Sequence, residues 1–252
     1  GDGAGARAGS GVMSGSPDSG TELLERAVNY ALCAVRPVTA RMLGRPTPCR
    51  RWDLESLLRH TGDSLAALYE GIDAGYVGVP GAGAAPRPGP GAGRDAGCGG
   101  GVGGGGGHGG PAGAAGAVGP DGGDGARSAG PVDVLRARAT RVLGAWAAAG
   151  SPEDRYVAVA DLPVTAAAIA RTGALEIAVH GWDIACATGL PRPVPPALAS
   201  VLLRTARQLV PAPAARHPLF GPAIRVSAEA DPSDRLVAFL GRDPDWTPEK
   251  GF

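Results

Sequence analysis

Thr172, Glu176, His180 and Asp183 follow one another at intervals of four, four and three residues. On a helix, at about 100° per residue, that spacing gathers all four within roughly 80° and makes one polar stripe. The surrounding positions from Val164 to Thr188 are almost all Ala, Ile, Leu, Val or Gly, with Arg171 on the far side. A carboxylate and an imidazole placed there lose hydration worth several kcal/mol unless something binds them. A divalent metal ion would offset that loss. The plainer alternative is that Glu176 and His180 hydrogen-bond each other at i,i+4 and fill a polar gap between helices.

A metal site needs a third ligand. His108 lies in a glycine tract and His217 precedes a proline, which leaves His60, on an earlier helical stretch, as the histidine best placed to reach a bundle interior. A helical wheel puts His60 roughly 120° from the middle of its leucine stripe, at the edge of the buried face, so a surface role is the competing reading. Two imidazoles and one carboxylate leave one to three positions open on zinc, nickel or iron, the pattern of a catalytic site. The order Glu-x3-His lacks the HExxH helix of a metalloprotease, and the paired Glu-x-x-His motifs of a di-iron bundle are missing.

The elements that must position these residues are mostly helical. Thr21 is the expected cap of a first helix from Glu22, carried by Leu24, Val28, Ala31, Leu32 and Val35 and interrupted near Pro37. Asp53 caps a second, with Leu54, Leu57, Leu58, Leu65, Leu68 and Ile72 on one stripe up to Gly71 and Gly75. A third follows Pro131, with Leu135, Ala139, Val142, Leu143 and Trp146 on one face, and stops at Gly150-Ser151-Pro152. Tyr156 to Leu162 alternates as a short strand does. Val164 to Thr188 is a long helix, apolar nearly all round and therefore buried, and Pro195 to Leu209 is a fifth. The expected fold class is mainly all-α, a four-helix bundle with a short extra helix and a C-terminal appendage.

Composition sets the limits of that bundle. Of 252 residues 43 are glycine, and from about Pro80 to Gly130 few side chains are large enough to compensate for ordering a backbone. We read 79–130 as a flexible insert and 1–20 as a disordered N-terminal segment, with 21–252 otherwise a single domain. Met13 is the expected natural start and the cytoplasm the expected location, because no secretory or membrane-spanning pattern is found. Lys+Arg and Asp+Glu both number 24, so no basic footprint for nucleic acid exists. Cys33, Cys49, Cys98 and Cys186 form no CxxC pair and read as reduced thiols. One lysine, Lys250, against a large excess of arginine indicates a GC-rich genome such as an actinobacterium's.

Three stretches together resemble the DinB-like, mycothiol-dependent maleylpyruvate isomerase superfamily, in particular its short actinobacterial members. Thr47-Pro48-Cys49-Arg50-Arg51-Trp52-Asp53-Leu54, followed by Leu57, Leu58 and His60, is similar to that family's TPCxxW segment. Glu176-Ile177-Ala178-Val179-His180-Gly181-Trp182-Asp183-Ile184-Ala185 is similar to its ExxxHGWDLA segment. Phe220-Gly221-Pro222, Asp234-Arg235-Leu236 and Gly241-Arg242-Asp243-Pro244 resemble the tail of the short members. The resemblance implies a DinB-type bundle whose His60, Glu176 and His180 hold a divalent metal, zinc first and nickel or iron next, with mycothiol as cosubstrate.

The expected function is thus thiol transfer or isomerisation on a small electrophilic metabolite, with no nucleic-acid or membrane partner and a monomeric or homodimeric state. The alternatives are a non-catalytic small-molecule-binding or resistance protein and a metal-dependent hydrolase or lyase of secondary metabolism. A metal can deprotonate a bound thiol near neutral pH, which makes the thiol reading chemically sound. Asp183 is expected behind a ligand or against substrate, and Thr172 shares its stripe. Trp52 and Trp182 read first as packing and second as substrate platforms. Cys49, at a helix entrance, reads as packing, as no base stands beside it.

Overall fold

The structure, a computed structural model, describes residues 19–49, 52–77, 129–150, 154–159, 161–210, 216 and 220–251. The chain divides into two units, Gly1–Val79 with Ala129–Phe252, and Pro80–Ser128; everything described below belongs to the first. His108, His217, Cys98, nearly all of the N-terminal segment and nearly all of the glycine-rich insert lie outside the described residues.

Helix α1 spans Gly20–Val35, and its cap is Ser19, whose Oγ accepts a hydrogen bond from the Glu22 amide at 3.2 Å. This corrects the expected cap at Thr21: serine is equally suited to the role and stands three residues before the donor it satisfies. The helix ends two residues before Pro37, which has no amide hydrogen with which to continue the helical ladder. Helix α2, Leu54–Ala74, starts where Asp53 accepts from the Ser56 amide at 2.8 Å and stops at Gly75, whose φ of 71° is cheap only for glycine. It leads directly into β1, Tyr76–Val77.

Helix α3, Pro131–Ala148, buries Leu135, Ala139, Val142 and Trp146 along one face. The short strand expected from Tyr156 is one arm of a hairpin, β2 at Tyr156–Val159 and β3 at Leu162–Thr165, turning at Asp161 with φ 68°. Strand β1 pairs parallel to β2, so the sheet order is β1-β2-β3. Helix α4 consequently begins at Ala166 rather than Val164, because Val164 and Thr165 extend the hairpin and Thr165 caps the helix by accepting from the Ala168 amide. Helices α5, Pro196–Leu209, and α6, Pro232–Phe239, pack against each other, and α5 also packs on α4.

Helices α1 to α4 make the bundle: α4 lies against α1 and α2, and α3 against α2 and α1. Between Gly173 and Thr188 of α4 every residue but Glu176 is buried, which is why this helix is apolar on all sides. Arg138 and Arg141 of α3 both engage α2. Arg138 pairs with Asp63 at 2.6 Å, and the Arg141 guanidinium lies 4.3 Å from the centre of the Tyr69 ring. Among the described residues no helix is long and apolar enough to cross a membrane.

Close approach of α1 to α4 rests on Gly181. A Cβ there would stand 3.0 Å from the Tyr30 ring and 3.1 Å from the Ala31 Cα, so any side chain pushes directly on the α1 backbone. Gly181→Val is expected to lower stability by about 1–3 kcal/mol through overpacking, read as a shift in the urea midpoint. An unchanged midpoint would show that the two helices are not held at this distance.

Candidate metal centre

The histidine on α2 is delivered by a loop whose shape is fixed by hydrogen bonds. The buried Thr47 hydroxyl lies 3.0 Å from the Cys49 carbonyl and 2.8 Å from that of Trp52, and the Trp52 amide donates back to Cys49. Pro46 and Asp53 form a β-bridge across the loop, and the Leu54 amide reaches the Arg45 carbonyl. Arg45 itself donates to the Thr188 carbonyl at 2.9 Å, tying the loop to the C-terminal end of α4, where a cation is favoured. The Trp52 ring is thereby laid over His60, with ring centroids 4.2 Å apart, and it stands 5.9 Å from the His180 ring. Trp52 is therefore half-buried at the candidate site, while Trp182 is packed in the core at 4% exposure.

The polar stripe of α4 runs from solvent to interior. Thr172 is exposed and donates to the Ala168 carbonyl, Glu176 is half-buried, and His180 and Asp183 are buried. Glu176 does not hydrogen-bond His180. Its Oε1 is 4.0 Å from His180 Nε2, while it lies 3.0 Å from His60 Nε2 and accepts from the Ser64 hydroxyl at 2.9 Å. His60, Glu176 and His180 each offer a ligand atom, and these atoms all lie within 4.8 Å of one another. A ligand bond of about 2.1 Å sets neighbouring ligand atoms about 3.4 Å apart in a tetrahedral site, so the measured separations of 3.0 and 4.0 Å need only small adjustments.

Behind this group the charges are ordered. Asp183 Oδ2 lies 3.0 Å from His180 Nδ1 and 3.3 Å from an Arg242 guanidinium nitrogen. An ionised carboxylate only accepts, so the His180 Nδ1–H is the donor to Asp183, and Nε2 is the ring nitrogen on the side of Glu176. Burial pushes the Asp183 carboxyl up, but Arg242 and the hydrogen bond from His180 outweigh it and hold the group below the usual range. Burial likewise pushes Glu176 up. The hydrogen bond from His60, the charge of His180 and the Ser64 hydroxyl prevail and bring it down to about 2.

Ser64 and Arg242 carry no role in the sequence reading. Ser64 stands four residues after His60, on the same face of α2, and that spacing was the available signal. Arg242 is 59 residues from Asp183 and is aimed by Gly241, whose φ is 81° and whose Cβ, if present, would stand 2.9 Å from the Gly221 backbone. Nothing in the local sequence reports that approach. Cys49 is half-buried in the loop beside Trp52, and Cys186 is buried one turn below Asp183.

Removing Arg242 leaves the buried Asp183 anion without its counter-charge. Arg242→Met is expected to cost about 3–5 kcal/mol, with most of the loss recovered in an Asp183→Asn background. Equal losses in both backgrounds would separate the two residues. Burial, then the Asp183 carboxylate, pushes the Cys186 thiol up to about 12, so it is not a nucleophile at neutral pH. Iodoacetamide followed by peptide mapping should modify exposed Cys33 in the native protein and Cys186 only in denaturant; native labelling of Cys186 contradicts its burial.

Residues 24–185 match the model of the mycothiol maleylpyruvate isomerase N-terminal domain, a span that runs from within α1 to within the last turn of α4 and includes His60, Glu176, His180 and Asp183 but not Arg242. No curated protein and no solved structure matches the chain. With the mainly helical bundle already described, the match over most of its length establishes that this chain belongs to the DinB-like superfamily of the mycothiol maleylpyruvate isomerase N-terminal domain.

Proposed function

We propose that this chain is a divalent-metal, thiol-dependent enzyme that catalyses isomerisation or thiol transfer on a small electrophile, with mycothiol as the thiol. The observation that carries the reading is the convergence of His60, Glu176 and His180, from two helices, on one point. Family membership supports the thiol, and the donor set of two imidazoles and a carboxylate suits zinc first, nickel or iron next.

His60 and His180 would offer Nε2, and Glu176 a carboxylate oxygen that is already ionised. Asp183 fixes the His180 tautomer, and Ser64 holds the Glu176 carboxylate in place. Trp52 packs against the His60 ring and restricts its orientation. A divalent ion bound here supplies a Lewis acid that lowers the pKa of a coordinated thiol, and three protein ligands leave a position for it. The same open position also admits water, so the hydrolase alternative differs from this reading only in its dependence on thiol.

Elemental analysis of the purified protein beside His180→Ala tests the site, and mycothiol titrated into the metal-loaded form tests the thiol. Stoichiometric zinc or nickel, lost in the variant, together with turnover that stops when mycothiol is withheld, is expected. A protein that takes up no metal after reloading would refute the reading, and turnover indifferent to mycothiol would transfer it to the hydrolase class.

A further inference from the structure

Glu176 faces more than its two histidines. It also lines a cavity of about 340 Å³ between α2, α4 and the small sheet. Each strand contributes one valine to the wall, Val77, Val159 and Val164, and the helices contribute Leu68 and Ile169. Gly173 lets Leu68 lie against α4, since a Cβ there would meet the leucine methyl at 2.5 Å. The volume is at the small end of the range for ligand pockets, and the cavity shares Glu176 with the candidate metal centre.

The polar lining is sparse and already committed. It consists of Ser64, Thr172 and Glu176; the Ser64 hydroxyl donates to Glu176 Oε1 and the Thr172 hydroxyl to the Ala168 carbonyl. Among the described lining residues no side-chain donor is left over and none carries a positive charge. A carboxylate placed among the valines would lose its water without gaining a partner, a cost of several kcal/mol. An apolar body would instead gain from burial in proportion to its area.

We infer that the part of the electrophile seated in this cavity is uncharged and mainly apolar, and that a dianionic acid does not enter it. The inference rests on the proposed function only in calling the occupant the electrophile; the cavity and its selectivity are properties of the chain. The three strands, which contribute none of the candidate ligands, thereby acquire a role as the wall that selects substrate.

The full chain, metal-free and zinc-loaded, is titrated with N-phenyl-1-naphthylamine, a neutral dye that brightens in apolar surroundings, and then challenged with maleate. Saturable dye binding in both forms is expected, unaffected by excess maleate. Ala168→Phe, at an exposed position of α4 that lines the cavity, should weaken binding about tenfold or more with zinc content and unfolding midpoint unchanged. Ala67→Phe, on the α2 side, serves if the first variant fails to fold. No saturable binding, indifference to both fillings, or displacement of the dye by maleate overturns the inference. Dye binding by a protein that takes up no zinc would sink the proposed function and leave this inference standing. Thiol-dependent turnover with maleate displacing the dye would do the reverse.

Discussion

Asp183 has a side chain at 0% exposure in a helix that is otherwise apolar, and its carboxylate is ionised. An anion in that position is tolerable only when charge and hydrogen bonds surround it, and the rest of the architecture follows from supplying them. His180 supplies one from the same helix, and Arg242 supplies the counter-charge from beyond α6. The approach of Arg242 runs through Gly241, whose positive φ and close contact with Gly221 leave no room for a side chain. The C-terminal part lies past the matched family domain, yet it compensates the charge behind a histidine inside it.

The same economy governs the outer end of the stripe. Glu176 is half-exposed, so it needs less compensation than Asp183, and two neighbours on α2, His60 and Ser64, supply it. Both of these sit on one face of α2 one turn apart, so a single helix contact fixes them together. Helix α2 is in turn fixed by the loop before it, where Thr47 and Arg45 hold the backbone and Trp52 rests on His60. The candidate centre is thus supported from behind by charge and from the side by an aromatic ring.

The small sheet makes a different contribution. A strand of two residues has almost no stability of its own, and β1 persists because α2 feeds directly into it and β2 pairs alongside. Its value lies in shape. Beside Glu176 the valines of the sheet line the cavity that α2 and α4 also line, and they add no polar side chain.

What the sequence determined by itself is everything that depends on local period and local caps. The helices α1 to α5, the cap at Asp53, the burial of α4 and the grouping of Thr172, Glu176, His180 and Asp183 on one stripe are legible because neighbours in the chain are neighbours in space. The motifs around Trp52 and His180 were equally legible as a family likeness. Only the tertiary structure decided which partner each polar group takes. Glu176 turns to His60 across 116 residues rather than to His180 one turn away, because His60 and Ser64 of α2 both hold its carboxylate while Asp183 claims the inner imidazole. The role of Arg242, the stacking of Trp52 and the three-valine wall depend likewise on contacts between distant segments, which no periodicity records.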